Sequence, residues 1–198
     1  MQRLILASGS AIRTKMLRNA GIQHDVIISR IDEQAVKNTM LADNAPARDI
    51  ADVLAEMKAR RVAMKHPDAL VLGADQVLIC DKKLYDKPEN LADVRLHLKT
   101  LRAKTHTLLS AAVIFENGAP VWRHIGCAQL TMRDFSDDFL DAYIGEQGAD
   151  LLSSVGAYKL EDHGAQLFTK ITGDYFSVLG LPLLEILGFL RMKGICSE

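Results

Sequence analysis

The 198-residue sequence has few cysteines and no excess of charge of either sign. Cys80, Cys127 and Cys196 are far apart and form no Cys-x-x-Cys pair, so neither a zinc knuckle nor a redox motif is indicated. An odd cysteine number without a secretory signal is typical of the cytosol, where we expect this protein. With 24 basic and 25 acidic side chains, the net charge of −1 argues against binding to a nucleic acid polymer.

Long apolar runs and several familiar catalytic motifs are also missing. No apolar stretch approaches the ~20 residues that span a bilayer, so we expect no membrane segment. The sequence contains no G-x-x-x-x-G-K-[ST] loop, no G-x-S-x-G nucleophile elbow and no H-E-x-x-H zinc motif. These absences argue against a P-loop nucleotide hydrolase, an α/β-hydrolase and a zinc protease of the usual kind.

The sequence does contain alternating strand-like and helix-like segments, which are typical of an α/β fold. Its 48% apolar fraction is enough for a real core, and no clear linker interrupts residues 1–198, which we interpret as one domain. Strands are predicted at residues 3–7, 26–28, 69–73, 107–115, 120–132 and 165–171. Helices are predicted at residues 10–21, 46–65, 90–101 and 136–143 and from residue 182 onwards. The Glu116-Asn117-Gly118 turn predicts a hairpin.

One carboxylate stands out within the apolar stretch Val71 to Leu78. The apolar run ends at Gly73, which lets the backbone turn or pass close to a ligand, and it resumes at Val77, with Asp75 between them. We therefore expect Asp75 to lie where a buried strand opens to the edge of the sheet. A carboxylate there is costly to bury unless a metal, a lysine or a ligand pairs with it. A helix cap or a structural ion pair is the alternative interpretation.

The Ser8-Gly9-Ser10 turn connects a predicted strand to a predicted helix. Free N–H groups and the helix dipole favour an anion at such a position, so the turn is a candidate phosphate cradle. Arg13 would add a forked donor. A plain capped helix with a surface arginine is the alternative.

Four more segments carry charged residues in predicted loops or on a helix. Each has an ordinary alternative, since adjacent acids usually lie in solvated loops and helical lysines are usually solvated. The residues are Asp32-Glu33, Lys58, Lys87 in the Asp86-Lys87-Pro88 turn, and Lys159-Leu160-Glu161-Asp162. Carboxylates that hold a divalent ion and cations that hold phosphates together indicate phosphoryl or nucleotidyl chemistry.

The order of these and further segments covers nearly the whole chain. They are Leu6-Ala7-Ser8-Gly9-Ser10 with Arg13, Ile31-Asp32-Glu33, Leu54-Ala55 with Lys58-Ala59, Gly73-Ala74-Asp75, Lys87-Pro88, Thr105-His106, Gly156-Ala157-Tyr158, Gly173-Asp174-Tyr175 and Gly180-Leu181-Pro182-Leu183. In this order they resemble the Maf family of nucleotide pyrophosphatases, also called septum-formation-inhibitor-like proteins. Each segment alone is a weak signal, and the complete order is a strong one.

The resemblance implies a mixed twisted sheet with flanking helices, forming two lobes around a central cleft as in inosine-triphosphatase-like proteins. It implies a cytosolic enzyme, often a homodimer, that hydrolyses nucleoside triphosphates to monophosphates and pyrophosphate. It also implies a divalent cation, Mg²⁺ or Mn²⁺, held by Asp75 and Glu33. Asp75, Glu33 and Glu161 would be the catalytic residues, with Asp75 as base or metal ligand and Glu161 as a further carboxylate at the metal. A non-catalytic, nucleotide-binding regulator of septum formation is the alternative function.

The resemblance also assigns substrate-binding residues, which are Ser8, Arg13, Lys58, Lys87 and Lys159. Some positions depart from the family pattern S-x-S-P-R-R, because Ala11 and Ile12 replace its proline and first arginine. Gln76 follows Asp75, where threonine is common. Glu161 and Lys159 stand where the thymidine- and uridine-type members have glutamine and glycine. These residues resemble the branch that acts on 7-methylguanosine triphosphate, although that branch usually has tryptophan at the position of Ile12.

Overall fold

The computed structural model describes residues 2–196, and within them a mixed seven-stranded sheet is flanked by seven α-helices. The strands are β1 (Leu4–Leu6), β2 (Asp25–Val26), β3 (Leu70–Cys80), β4 (Lys83–Tyr85), β5 (Thr105–Glu116), β6 (Ala119–Met132) and β7 (Phe168–Thr172). The helices are α1 (Ala11–Asn19), α2 (Glu33–Ala42), α3 (Ala47–Ala63), α4 (Leu91–Leu101), α5 (Asp137–Gln147), α6 (Tyr175–Val178) and α7 (Leu183–Met192). Short 3₁₀ helices cover Gly148–Ser153 and His163–Leu167. The α/β class with a mixed sheet is confirmed.

The strand order is β2-β1-β3-β5-β6-β7, and β4 pairs with the end of β3. Strand β1 runs parallel to both neighbours, with Ile5 opposite Asp25 on one side and opposite Val71 on the other. Strands β3 and β4 are antiparallel, as are β6 and β7. The parallel half of the sheet therefore contains the β1 end that leads into the serine-rich turn.

The predicted hairpin is confirmed between β5 and β6. Its two turn residues, Asn117 and Gly118, have φ values of 51° and 76°. Positive φ at both central residues is the requirement of a type I′ turn, and an Asn-Gly pair meets it at low cost. This turn fixes the register of two of the longest strands.

The predicted strand break at Gly73 is wrong. Strand β3 continues from Leu70 to Cys80, so Asp75 lies inside the strand and not at its opening to the sheet edge. A Cβ at Gly73 would lie 2.2 Å from the carbonyl oxygen of Ala55, a residue of α3. The glycine therefore permits close packing of β3 against α3, which is a different use of glycine from a turn.

The solvated-loop alternative for Asp32 and Glu33 is also wrong. Asp32 caps α2, accepting a hydrogen bond from the N–H of Ala35 at 3.0 Å, and Glu33 is the first residue of the helix. No residue of α2 is fully buried, although Val36 and Met40, which are four residues apart, are half-buried. This helix was not predicted.

The strand predicted at residues 165–171 is partly wrong. A 3₁₀ helix covers His163–Leu167, and β7 begins only at Phe168. Four of the five residues of β7 are exposed, so its buried and exposed positions do not alternate. The second strand is Asp25–Val26 and not 26–28, and the short elements β4 and α6 were not predicted.

Contacts divide the chain into two compact units. The first contains the described residues of Met1–Gln76, Leu109–Gly126 and Gly180–Glu198, and its buried side chains include those of β1 and the inner face of α3. The second contains Val77–Leu108 and Cys127–Leu179. Its apolar core includes Leu78, Val94, Leu98, Leu130, Leu140 and Tyr158. No helix within residues 2–196 has both the length and the apolar composition needed to cross a membrane.

Candidate active site

The serine-rich turn and the start of α1 form the first part of the site. Strand β1 is buried and is followed by the turn. Ser10 is the N-cap of α1, where its side chain accepts a hydrogen bond from the N–H of Arg13 at 3.5 Å. Ser8 is buried, and its Oγ accepts a hydrogen bond from the N–H of Ser10 at 3.3 Å. The predicted strand-turn-helix arrangement is therefore present, with the N-terminal N–H groups of α1 at the turn.

Arg13 is buried, so the alternative of a surface arginine is wrong. Its Nε donates to the carbonyl oxygen of Gly180 at 2.8 Å. Its Nη1 donates to the Oγ of Ser8 at 3.1 Å and to the carbonyl oxygen of Ala74 at 2.8 Å. Burial lowers the pKa of Arg13 from its usual range, and the negative charges of Asp75 and Glu33 oppose that shift. An arginine pKa is high enough that the side chain keeps its charge.

Lys58 lies between the two acids at the centre of the site. Its Nζ is 2.6 Å from Oδ1 of Asp75 and 2.9 Å from Oε1 of Glu33. The Lys58 and Asp75 side chains are only 10% and 7% exposed, whereas that of Glu33 is 44% exposed. The interpretation of Lys58 as an ordinary solvated lysine is therefore wrong. Oδ2 of Asp75 is buried, and no described residue donates a hydrogen bond to it.

The packing of α3 on β3 explains why these charges meet. Lys58 projects from the buried face of α3, four residues after Leu54 and four before Val62. Side chains two residues apart in a strand point to the same face, so Asp75 shares the α3-facing side of β3 with Gly73. Because Gly73 has no side chain, the backbones approach closely and Asp75 comes within hydrogen-bond distance of Lys58.

Three predicted site residues belong to the second unit. Lys87 is exposed beside the buried Pro88 in the turn before α4. The Nζ of Lys159 is 3.0 Å from Oδ2 of Asp150, and Glu161 is exposed. The first unit thus brings together five of the predicted residues, and the second unit carries the other three.

His106 has a structural position in the second unit. Its Nε2 is 2.7 Å from the hydroxyl of Tyr158, and the residue is 1% exposed. Burial lowers the pKa of His106 to about 4, so the ring is neutral at neutral pH. This geometry agrees with the interpretation of His106 as a hydrogen-bonded structural histidine.

Sequence reasoning missed the backbone groups that bind Arg13. The carbonyl of Ala74 has no sequence signal, because it depends on the register of β3. Gly180 has a partial signal, since it precedes the proline that begins α7 and adopts a φ of 102° that favours glycine. The hydrogen bond from Nε2 of Gln76 to Oγ of Ser110, at 3.0 Å, also depends on pairing between distant segments.

Comparisons with known proteins show the family of the chain. Residues 3–193 match the family model described as Maf-like protein, and the chain belongs to that family. A relative from Roseobacter denitrificans, named nucleoside triphosphate pyrophosphatase, is 54% identical over 193 residues, covering 98% of this chain and 97% of its own length. A relative from Ruegeria pomeroyi with the same name is 51% identical over 192 residues, covering 97% and 96%. A third so named, from Paramagnetospirillum magneticum, is 49% identical over 190 residues, covering 96% and 98%.

Proposed function

We propose that this protein hydrolyses nucleoside triphosphates to nucleoside monophosphates and pyrophosphate. The observation that carries the proposal is the buried Asp75–Lys58 pair, to which the half-exposed Glu33 is joined, in a chain about half identical to relatives named nucleoside triphosphate pyrophosphatase. Buried charges of this kind are costly to retain for stability alone, and they are typical of sites that act on charged substrates.

We propose a divalent cation, Mg²⁺ or Mn²⁺, as the cofactor. Among residues 2–196 no three His, Cys, Asp or Glu side chains surround one metal position. Mg²⁺ is commonly held by only one or two carboxylates together with substrate phosphates and water, so Glu33 and Asp75 suffice as protein ligands. The buried Oδ2 of Asp75, to which no described residue donates, fits such a ligand. When bound, the cation would polarise the phosphate and orient a water molecule.

The protein's own residues supply the remaining functions in this proposal. If Oδ2 of Asp75 is not a metal ligand, it would instead be the base that takes a proton from water, because Oδ1 is already bound to Lys58. Lys58 has three N–H groups and uses two for the acids, which leaves one for a phosphate oxygen. The N–H groups at the start of α1 would neutralise further phosphate charge. The family resemblance also assigns Lys87 to phosphate binding.

A panel of nucleoside triphosphates tests the proposal. We expect release of pyrophosphate, not of orthophosphate, from at least one nucleotide in the presence of Mg²⁺ or Mn²⁺. Chelation with EDTA should abolish the release. Nucleotide binding without any pyrophosphate release would favour the alternative of a non-catalytic regulator of septum formation.

We also propose a preference for 7-methylguanosine triphosphate over the triphosphates of thymidine and uridine. Its basis is Glu161, an exposed carboxylate that can accept hydrogen bonds from the donor edge of a guanine and attract a cationic methylated base. Lys159, which pairs with Asp150, replaces the glycine of the pyrimidine-type members.

Competing hydrolysis of the three substrates at equal concentration tests this preference. We expect 7-methylguanosine monophosphate to form fastest, and Glu161→Gln to reduce that advantage. A clear preference of the wild-type protein for thymidine or uridine triphosphate would contradict the proposal while leaving the general pyrophosphatase function standing.

The remaining expectations concern location and assembly. We propose that the enzyme acts in the cytoplasm as a homodimer and removes modified nucleotides before they enter nucleic acids. Light scattering coupled to size-exclusion chromatography measures the assembly, and a single species of 21.8 kDa would contradict the dimer.

A further inference from the structure

One guanidinium joins three segments that are distant in sequence. Arg13 of α1 bonds to Ser8 in the turn, to the carbonyl of Ala74 in β3 and to the carbonyl of Gly180 in front of α7. The last two acceptors are 61 and 167 residues away along the chain. All three contacts are buried.

These contacts occupy most of the N–H donors of Arg13, which are therefore not available to a phosphate ligand. An arginine has five N–H groups, and three of those of Arg13 already point to protein acceptors. Two of the three acceptors are backbone carbonyls, which a ligand cannot displace without leaving a buried polar group unsatisfied. A hydrogen-bonding pattern of this kind holds backbone in place.

The position of the Ala74 carbonyl makes the contact relevant to chemistry. Ala74 immediately precedes Asp75, so a bond to its carbonyl restrains the peptide that carries the candidate catalytic carboxylate. The bond to Ser8 restrains the turn in which the N–H groups of α1 begin. One side chain thus restrains both the acid and the anion-binding turn.

We propose that Arg13 is a positioning residue, which holds Asp75 and the Ser8 turn in fixed register, and that contact with substrate phosphate is not its main role. The proposal rests on the proposed function in that Asp75 is taken as the catalytic carboxylate, acting as metal ligand or base. Lysine cannot substitute for Arg13, because its N–H groups radiate from one atom and cannot span three acceptors in a fork.

The test compares Arg13→Lys with wild type in three measurements. We expect kcat to fall by roughly 100-fold, as misplaced catalytic groups commonly cause. KM, and the Kd for inorganic pyrophosphate by calorimetry with Mg²⁺, should stay within about a factor of three, because ground-state binding is retained. Hydrogen exchange should accelerate in peptides covering β3 and should not change in peptides covering α5.

Arg18→Lys, an exposed arginine near the end of the same helix, is the matched control and should behave as wild type. If Arg13→Lys does not fold, Arg13→Gln, which keeps two N–H donors without the charge, is measured in the same way.

Two outcomes would overturn the proposal. A tenfold or greater loss of pyrophosphate affinity, as expected for loss of a charge-assisted bond, would show that Arg13 binds phosphate directly. An unchanged kcat in the folded variant would overturn it in favour of a purely structural arginine.

The exchange measurement separates this proposal from the proposed function. If the wild-type protein releases no pyrophosphate from any nucleotide, the proposed function fails. The positioning role then stands if β3 exchanges faster in the variant, and it falls if β3 exchanges at the wild-type rate.

Discussion

Asp75 and Lys58 form a buried ion pair in which each charge depends on the other. Their side chains are 7% and 10% exposed, and the two charged atoms are 2.6 Å apart. A buried pair of this kind adds little net stability, because desolvation cancels much of the attraction. Loss of one partner is expensive, however, because the other charge remains buried without compensation. Substitutions at the two residues should therefore have different effects.

Asp75→Asn should abolish nearly all turnover while the fold is retained. The amide oxygen can still accept from Lys58, and Glu33 keeps its bond to the ammonium, but the charge needed for metal binding or proton transfer is lost. We expect kcat to fall by about 100-fold or more. Steady-state kinetics measures turnover, and circular dichroism measures whether the fold is retained. Asp68→Asn, on the surface before β3, is the control. Half the wild-type rate in a folded variant would rule out this role for Asp75.

Lys58→Met should destabilise the protein, by about 3 kcal/mol, because it leaves Asp75 buried and unpaired. If Glu33 and Asp75 bind a cation, Mn²⁺ should raise the Tm of this variant more than that of wild type, since the metal replaces the missing charge. Thermal unfolding with and without Mn²⁺ measures both effects, with the exposed Lys65→Met as control. If Mn²⁺ raised the Tm of the variant and of wild type equally, the result would argue against the metal site.

At the scale of elements, the contact between β3 and α3 determines where the charges lie. Gly73 faces Ala55 and Ala59 with no space for a side chain, since a Cβ would come within 2.8 Å of atoms of both. Two of the contacted atoms belong to the α3 backbone, which cannot move aside without shifting the helix. The separation of the two elements is thus set by a missing side chain.

Gly73→Ala should reduce the free energy of unfolding by about 1–3 kcal/mol, or more, because overpacking forces α3 away from β3. It should also reduce turnover, since Lys58 and Asp75 separate with the elements that carry them. Urea unfolding checks the first effect. Gly145→Ala in α5 is the matched control, because a Cβ there meets nothing within 4 Å, and helix propensity should make it neutral or stabilising. A Gly73 variant as stable as the Gly145 variant would contradict this account.

Local sequence signals predicted some elements of the fold and not others. They were sufficient to predict α1, with its Ser10 cap, and the β5–β6 hairpin, with its Asn-Gly turn. Helix α2 has no fully buried residue, and its few apolar side chains were not recognised as a helix. The use of Gly73 was misinterpreted because a glycine that permits close packing has the same local sequence as one that makes a turn.

The site shows the same limit. The candidate site residues were proposed from their types and their order in the sequence, and five of them occur in one unit. Their pairing was not predictable, because the partners of Arg13 and Lys58 depend on the register and separation of distant segments. Every residue has a backbone carbonyl, so the sequence does not indicate that the carbonyl of Ala74 is an acceptor in the site.

At the scale of the whole molecule, stability should depend on pH through His106. Its folded-state pKa of about 4 lies below the ordinary value of 6.5, so between these pH values the unfolded chain binds a proton that the folded chain does not. The contribution of the neutral His106 to the free energy of unfolding is complete above pH 6.5 and is lost as the pH falls towards 4. The difference in pKa corresponds to about 3 kcal/mol.

Urea unfolding at pH 7 and pH 4.5 measures this dependence. His106→Gln, which can still bond to Tyr158, should lose markedly less stability than wild type over that interval. His66→Gln, a half-buried histidine after α3, serves as control and should lose as much as wild type. If His106→Gln and wild type lose equal stability, His106 does not carry the dependence.

The division of the chain into units has a consequence for synthesis on the ribosome. The first unit begins the chain and also requires Gly180–Glu198, whereas the last segment of the second unit ends at Leu179. Domains generally fold as they emerge, with the N-terminal one first, and here the order is reversed. The unit that contains Met1–Gln76 is the last to receive all its residues. Arg13 is translated early, yet the residue that carries its acceptor, Gly180, is translated 167 residues later.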